Sequence, residues 1–296
     1  MAAISWTFGI PGDWATAADW NSDTVPGSGD DVTINAAGTY TVTVGTTAEV
    51  AHSLTLDASG ATLSITKALT VATALAAEAG TLSLGSGGSI NGGTLVAGGA
   101  VMAFAGGTLN GVTWQGPLIM AGSAETATMT GAISLAGAGG TGAGSLSVTG
   151  TSDVLTVLGT LVDTGALTIS AGSFVVQNGG QGTIAAASSN SGTFGIANNS
   201  SVTINGNFTN SAALNVDSYY YSFGGVTTQG GSDLTITGTL TNTGTAAAVQ
   251  VGDTSLGIDA ATTITLGGLV NGAGESFQVR WFWDREGRLG RCHRRA

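Results

Sequence analysis

Leu234-Thr-Ile-Thr-Gly-Thr-Leu-Thr-Asn-Thr-Gly244 decides how the chain is read. Apolar residues alternate with threonine, a glycine interrupts, a second alternating run follows, and an Asn-Thr-Gly turn closes the unit. A period of two places alternate side chains on opposite faces of a strand. Three further segments share the pattern: Leu155-Thr-Val-Leu-Gly-Thr-Leu-Val-Asp-Thr-Gly165, Val202-Thr-Ile-Asn-Gly-Asn-Phe-Thr-Asn-Ser-Ala212, and Ile264-Thr-Leu-Gly-Gly-Leu-Val-Asn-Gly-Ala-Gly274, which drops one position. Gly and Asn tolerate positive φ and turn corners between sheet faces without strain.

The same texture runs outward in both directions. Tyr40-Thr-Val-Thr-Val44, Ser53-Leu-Thr-Leu56, Thr62-Leu-Ser-Ile65, Leu146-Ser-Val148 and Leu167-Thr-Ile169 all alternate with period two. Glycine fills 50 of the 296 positions, and the runs between glycines are too short and too β-branched for helices. Helix competes only over Lys67 to Glu78, where Thr70, Val71 and Thr73 argue for strand. Parallel strands need long crossovers, usually helical, and this chain offers almost none. A solenoid avoids that need, so the expected architecture is an all-β parallel β-helix. Its coils would be roughly 20 to 25 residues long, with small aliphatic side chains stacked inside. The rival is a pair of antiparallel β-sandwiches. Irregular spacing between the repeats suits a β-helix with variable loops better than a propeller.

Three regions follow. Residues 1–30 hold Trp6, Phe8, Trp14 and Trp20 with Pro11 and Pro26, and are expected to form an irregular aromatic cap shielding the terminal rung. Residues 31–279 form the solenoid body. Residues 280–296 break every rule of the body with aromatics and arginines, so a frame or truncation artefact, or disorder, is expected there.

Charge excludes some partners. Six of the seven Lys and Arg residues are arginines at 280–296, leaving Lys67 as the body's one cation, while the whole chain carries −11. Such a body neither neutralises a run of phosphates nor docks on an anionic membrane surface. No segment has the length and apolarity of a membrane helix. Cys292 is the only cysteine, which rules out an intrachain disulfide. The opening residues show no basic region followed by an apolar stretch, so no standard secretory signal is read there.

Candidate chemistry is sparse. Asp13, Asp19, Asp23, Asp30 and Asp31 offer hard oxygen ligands for Ca2+, without EF-hand spacing; solvated turn aspartates are the simpler reading. Gly230-Gly-Ser-Asp-Leu-Thr-Ile236 only approximates a calcium-binding nonapeptide. His52 reads as a surface strand residue, and no Gly-x-Ser-x-Gly elbow is present for a serine hydrolase. Gly137-Ala-Gly-Gly-Thr-Gly-Ala-Gly144 lacks the Lys and helix of a phosphate cradle. A glycan hydrolase would need paired carboxylates; Asp153, Asp163, Asp217 and Asp233 are available but show no pairing in their spacing. The aromatic run Tyr219, Tyr220, Tyr221 and Phe223 is the candidate for stacking on sugars or a protein partner. Thr39-Tyr-Thr-Val-Thr43 and Thr235-Ile-Thr-Gly-Thr-Leu-Thr241 suggest flat hydroxyl faces of the kind that bind ice. That would require strict register between coils, and irregular repeat spacing argues against it.

Ser5-Trp6 through Gly12-Asp-Trp14, Trp20-Asn, Val25-Pro26, Asp30-Asp-Val-Thr-Ile34, Thr39-Tyr-Thr-Val42 and Ser53-Leu-Thr-Leu56 resemble the opening module of large bacterial β-strand-repeat surface proteins, of autotransporter-passenger or adhesin-like type. The later Leu-Thr-Ile-Thr-Gly units resemble their body repeats. The resemblance implies an exported, surface-displayed, non-enzymatic solenoid, part of a larger protein, that engages glycans or proteins on host or neighbouring cells. No catalytic residue or cofactor comes with it. A carbohydrate-active β-helix enzyme is the alternative function, and ice binding the third.

Overall fold

A computed structural model describes residues 2–218, 230–244, 246–252, 262–272 and 275–279. The chain divides into two compact units: residues 1–120 with 125–145, and residues 121–124 with 146–296. Both are built from short strands paired in parallel, as a β-helix requires. The antiparallel sandwich is thereby excluded.

The first unit turns through three faces per coil. On one face, Ala3–Ser5, Asp31–Ile34, Ser53–Ile65, Ala74–Gly85, Thr94–Ala97 and Thr113–Gln115 pair in succession. Register aligns Ile4, Val32, Leu54, Leu75, Leu95, Trp114 and Leu135 in a single column, all buried. From Val32 onward these residues recur every 19 to 22 positions, the length of one coil. A second column runs Val44, Ile65, Leu84 and Phe104, and a third Leu69, Ile90, Leu109 and Met129. Lys67 to Glu78, where helix competed, contributes Ala68–Val71 and the start of Ala74–Gly85. There Leu69, Val71, Leu75 and Ala77 all point inward with period two.

Corners are sharp, and a few demand glycine. Gly93 separates Ser89–Asn91 from Thr94–Ala97 at φ +66, and a Cβ there would lie 2.6 Å from the Val71 carbonyl oxygen of the neighbouring coil. Only a residue without a side chain meets both conditions.

Residues 1–30 are more than an irregular plug. Ala3–Ser5 and Gly12–Asp13 supply rungs that pair with Asp31–Ile34 and Tyr40–Val44. Between them Trp6, Trp14 and Trp20 pack edge to face, with Trp20 4.9 Å from Trp6 and 4.8 Å from Trp14, all three buried. The Trp20 indole N–H donates to the Trp14 carbonyl at 2.7 Å, which lets a large ring enter the core without an orphaned donor.

The second unit repeats the three-faced plan. Leu155, Phe174, Phe194, Leu214, Val249 and Phe277 align on one face. Val202, Leu234 and Ile264 align on the next, and Phe208, Leu240 and Leu269 on the third. Three of the four sequence copies are therefore truly equivalent. The copy at 155–165 is not: Leu155 stacks on Phe174, and it is Leu161 that shares the Val202 column through Gly182. Each face carries the same alternation followed by a small corner residue, so the texture reads equally well one face out of phase.

Coils in this unit are 19 to 21 residues long until Val202, then 32 and 30 residues to Leu234 and Ile264. The longer coils contain segments 219–229 and 253–261, outside the described residues. Repeat spacing is irregular because of those segments and because the copy at 155–165 sits on another face. The strands stay in step.

Candidate functional site

Strict register has a consequence on the outer surface. Thr160–Asp163, Gln181–Ile184, Ser201–Ile204, Asp233–Asn242 and Thr263–Asn271 form one face of the second unit. Their outward positions fall in two columns. One holds Val162, Thr183, Thr203, Thr235 and Thr265; the other holds Thr160, Gln181, Ser201, Asp233 and Thr263. The four threonines of the first column are half-buried. A β-branched side chain on a pleated surface has few rotamers, so each hydroxyl and methyl is held in a narrow range of directions. A neighbouring face repeats the idea, aligning Thr168, Ser189, Thr209 and Thr241. On the third face the outward residues Val175, Gly195 and Asn215 are buried. The irregular-spacing argument against a registered hydroxyl face is thus overturned.

The four carboxylates considered for a glycan hydrolase behave differently from one another. Asp153, Asp163 and Asp217 are buried, while Asp233 is exposed within the hydroxyl face. Asp163 occupies the core column in which Ile184, Ile204 and Ile236 follow on successive coils. Its Oδ1 accepts the Gly165 N–H at 2.9 Å, and its Oδ2 has no partner among the described residues. Burial pushes its carboxyl up to about 6, partly offset by the Gly165 hydrogen bond. The folded state therefore binds this proton more tightly than the unfolded chain. Its contribution to stability is greatest below the unfolded value of 3.8, falls as pH rises to about 6, and stays low above that. With some solvent screening the loss is about 1–3 kcal/mol. Asp163→Asn keeps the Gly165 acceptor and removes the charge, so its denaturation midpoint is expected to exceed wild type at pH 7.5 and to converge on it only as pH falls below 3.8. An unchanged pH slope in the variant would rule this account out.

Asp31, His52 and Ser53 come together at the edge of the first unit, bringing the three residue types of a hydrolase triad into contact. The order of the bonds is wrong for that chemistry. His52 Nδ1 lies 2.8 Å from Asp31 Oδ1, and the Ser53 hydroxyl donates to the same oxygen at 2.5 Å, not to the imidazole. The serine is not hydrogen-bonded to the imidazole that would take its proton in a triad. The Ser53 and His52 hydrogen bonds hold the Asp31 carboxyl below its usual value. His52 is thus a half-buried partner of Asp31 and not a free surface residue.

Asp13 and Asp30 spend their oxygens on neighbouring backbone and hydroxyl groups. Asp13 accepts the Ala15 N–H at 3.0 Å and the Thr46 hydroxyl at 2.8 Å, and Asp30 accepts the Gly27 N–H at 2.9 Å. Among the described residues no group of three or more His, Cys, Asp or Glu side chains gathers to hold a metal ion. Tyr219, Tyr220, Tyr221 and Phe223 lie outside the described residues, as does the tail 280–296.

Sequence reasoning missed Asp217 altogether as a structural centre. This buried residue, at φ +48, accepts four hydrogen bonds: the Asn198 N–H at 2.9 Å and Ser232 hydroxyl at 2.8 Å on Oδ1, and the Ser232 N–H at 2.8 Å and Thr262 hydroxyl at 2.7 Å on Oδ2. Its donors stand 15 to 45 residues away, so no local motif marks it.

The architecture is that of the parallel β-helix class. Comparisons with protein-family models, with curated proteins and with solved structures find no match.

Proposed function

We propose that this chain is a non-enzymatic, adhesin-like β-solenoid displayed outside the cell or on its surface, and a portion of a larger autotransporter-type protein. The observation that carries the reading is the pair of registered hydroxyl columns, Thr183-Thr203-Thr235-Thr265 and Thr168-Ser189-Thr209-Thr241. A repeating surface offers the same weak contact at every rung. An extended partner, a cell-surface glycan or protein, gains avidity from many such contacts where no single one would hold it. Against a hydrolase stands the placement of Asp153, Asp163 and Asp217, which are sealed inside where no substrate reaches them.

The test uses the purified full chain on intact bacterial and animal cells and on a panel of polysaccharides. Retention on cells without release of reducing ends or unsaturated uronates is expected. Turnover of any polysaccharide, or failure to bind every cell type, overturns the proposal.

A further inference from the structure

We infer that the Thr183-Thr203-Thr235-Thr265 face, besides the adhesive contacts proposed above, binds crystalline water. Strands in adjoining coils stand roughly 4.8 Å apart, and outward residues two apart along a strand are separated by roughly 6.6 Å. Together the two columns therefore form a rectangular grid. Both spacings lie within about a tenth of the oxygen repeats along the two axes of the prism face of hexagonal ice, which are set by tetrahedral hydrogen bonding. Pairing keeps residues opposite one another on every rung: Thr160 with Val162, Gln181 with Thr183, Ser201 with Thr203, Asp233 with Thr235, Thr263 with Thr265.

The chemistry of the grid favours ice over a soluble sugar. Threonine presents a hydroxyl that anchors a water molecule and a methyl around which water forms a cage. In a half-buried β-branched residue both are fixed before contact. Little side-chain entropy remains to be lost, so a flat lattice meets a surface already ordered. A lone soluble sugar is held chiefly by stacking on aromatics, and these two columns contain none, so only an extended chain touching many rungs would stay bound. They also contain one formal charge, Asp233, and no long cationic side chain to hold bulk-like water over the surface. Register survives the two long coils because their extra residues fall between strands.

The experiment measures thermal hysteresis and inhibition of ice recrystallisation by the purified full chain. Wild type is expected to depress the freezing point below the melting point and to shape ice crystals. Thr203→Tyr, which raises a ring in the middle of the grid, is expected to abolish both effects with an unchanged melting temperature of the protein. Thr70→Tyr, at an exposed outward position of Ala68–Val71 in the other unit, is expected to retain them. Should Thr203→Tyr fold poorly, Thr235→Lys makes the same test. An inactive wild type, a fully active grid variant, or equal loss in the Thr70 variant overturns the inference. Cell retention is measured on wild type alone and without ice, so a wild type that binds cells but leaves ice unshaped overturns this inference and not the adhesive reading.

Discussion

Asp217→Ala is expected to destabilise the second unit by about 3–5 kcal/mol, seen as a fall in the urea midpoint of the full chain. The carboxylate accepts from Asn198, from both the backbone and the hydroxyl of Ser232, and from Thr262, residues contributed by successive coils. Removing it leaves two backbone N–H groups and two hydroxyls without their acceptor at a site that admits no solvent to the carboxylate. Hydrogen bonds to a charged group contribute about 1.5–3 kcal/mol each, and their loss leaves buried donors unsatisfied. The Ser232 hydroxyl also accepts the Ser200 N–H at 3.2 Å, so the disturbance spreads into the adjoining corner. Asp217→Asn retains one acceptor oxygen but turns an NH2 toward existing donors, and should fall between alanine and wild type. Thr262→Val, which removes one hydroxyl and keeps the shape, should cost about 1 kcal/mol. A midpoint for Asp217→Ala within the range of surface substitutions would show that the carboxylate is not what ties these coils together.

Asp217 also marks where sequence reasoning stops. The parallel β-helix was legible because one rule, alternation with period two, governs nearly every strand. Leu234 and Ile236 face inward and Thr235 outward, as their spacing dictates. Phase was not legible. Leu155–Gly165 resembles the other copies in pattern yet sits one face away, since every face obeys the same rule. Register of the threonine columns was hidden for a related reason: spacing along the chain includes the corner segments, whereas register depends on strands alone. Asp163 shows the limit of residue-type reasoning. It reads as a polar turn residue, but the parity of its strand puts it in an isoleucine column. Contacts that span several coils, like those of Asp217, leave no local trace.

Between these extremes lies the asparagine of the repeat, whose fixed place was visible and whose role was not. Asn190, Asn210, Asn242 and Asn271 stack in register at one corner, the first three buried. Each Nδ2 donates to the Oδ1 of the next asparagine, at 2.8, 2.8 and 2.7 Å. Each also donates its second proton to a backbone carbonyl: Ala213, Ala212 and Ser276 for the buried three, and Glu275 for Asn271. The amides thus satisfy corner carbonyls while polarising one another along the ladder. Asn210→Ala interrupts it in the middle. Asn190 loses its acceptor and Asn242 its donor, both in the interior, while the Ala212 carbonyl keeps the Ala248 N–H, and a cost of about 2–4 kcal/mol follows. Asn271→Ala cuts the exposed end, where water replaces the lost bonds, and should cost less than about 1 kcal/mol. Urea denaturation of the two variants measures the contrast. If Asn210 and Asn271 cost the same, the amides act as separate corner caps; a steep gradient from the interior outward is the signature of one hydrogen-bonded unit.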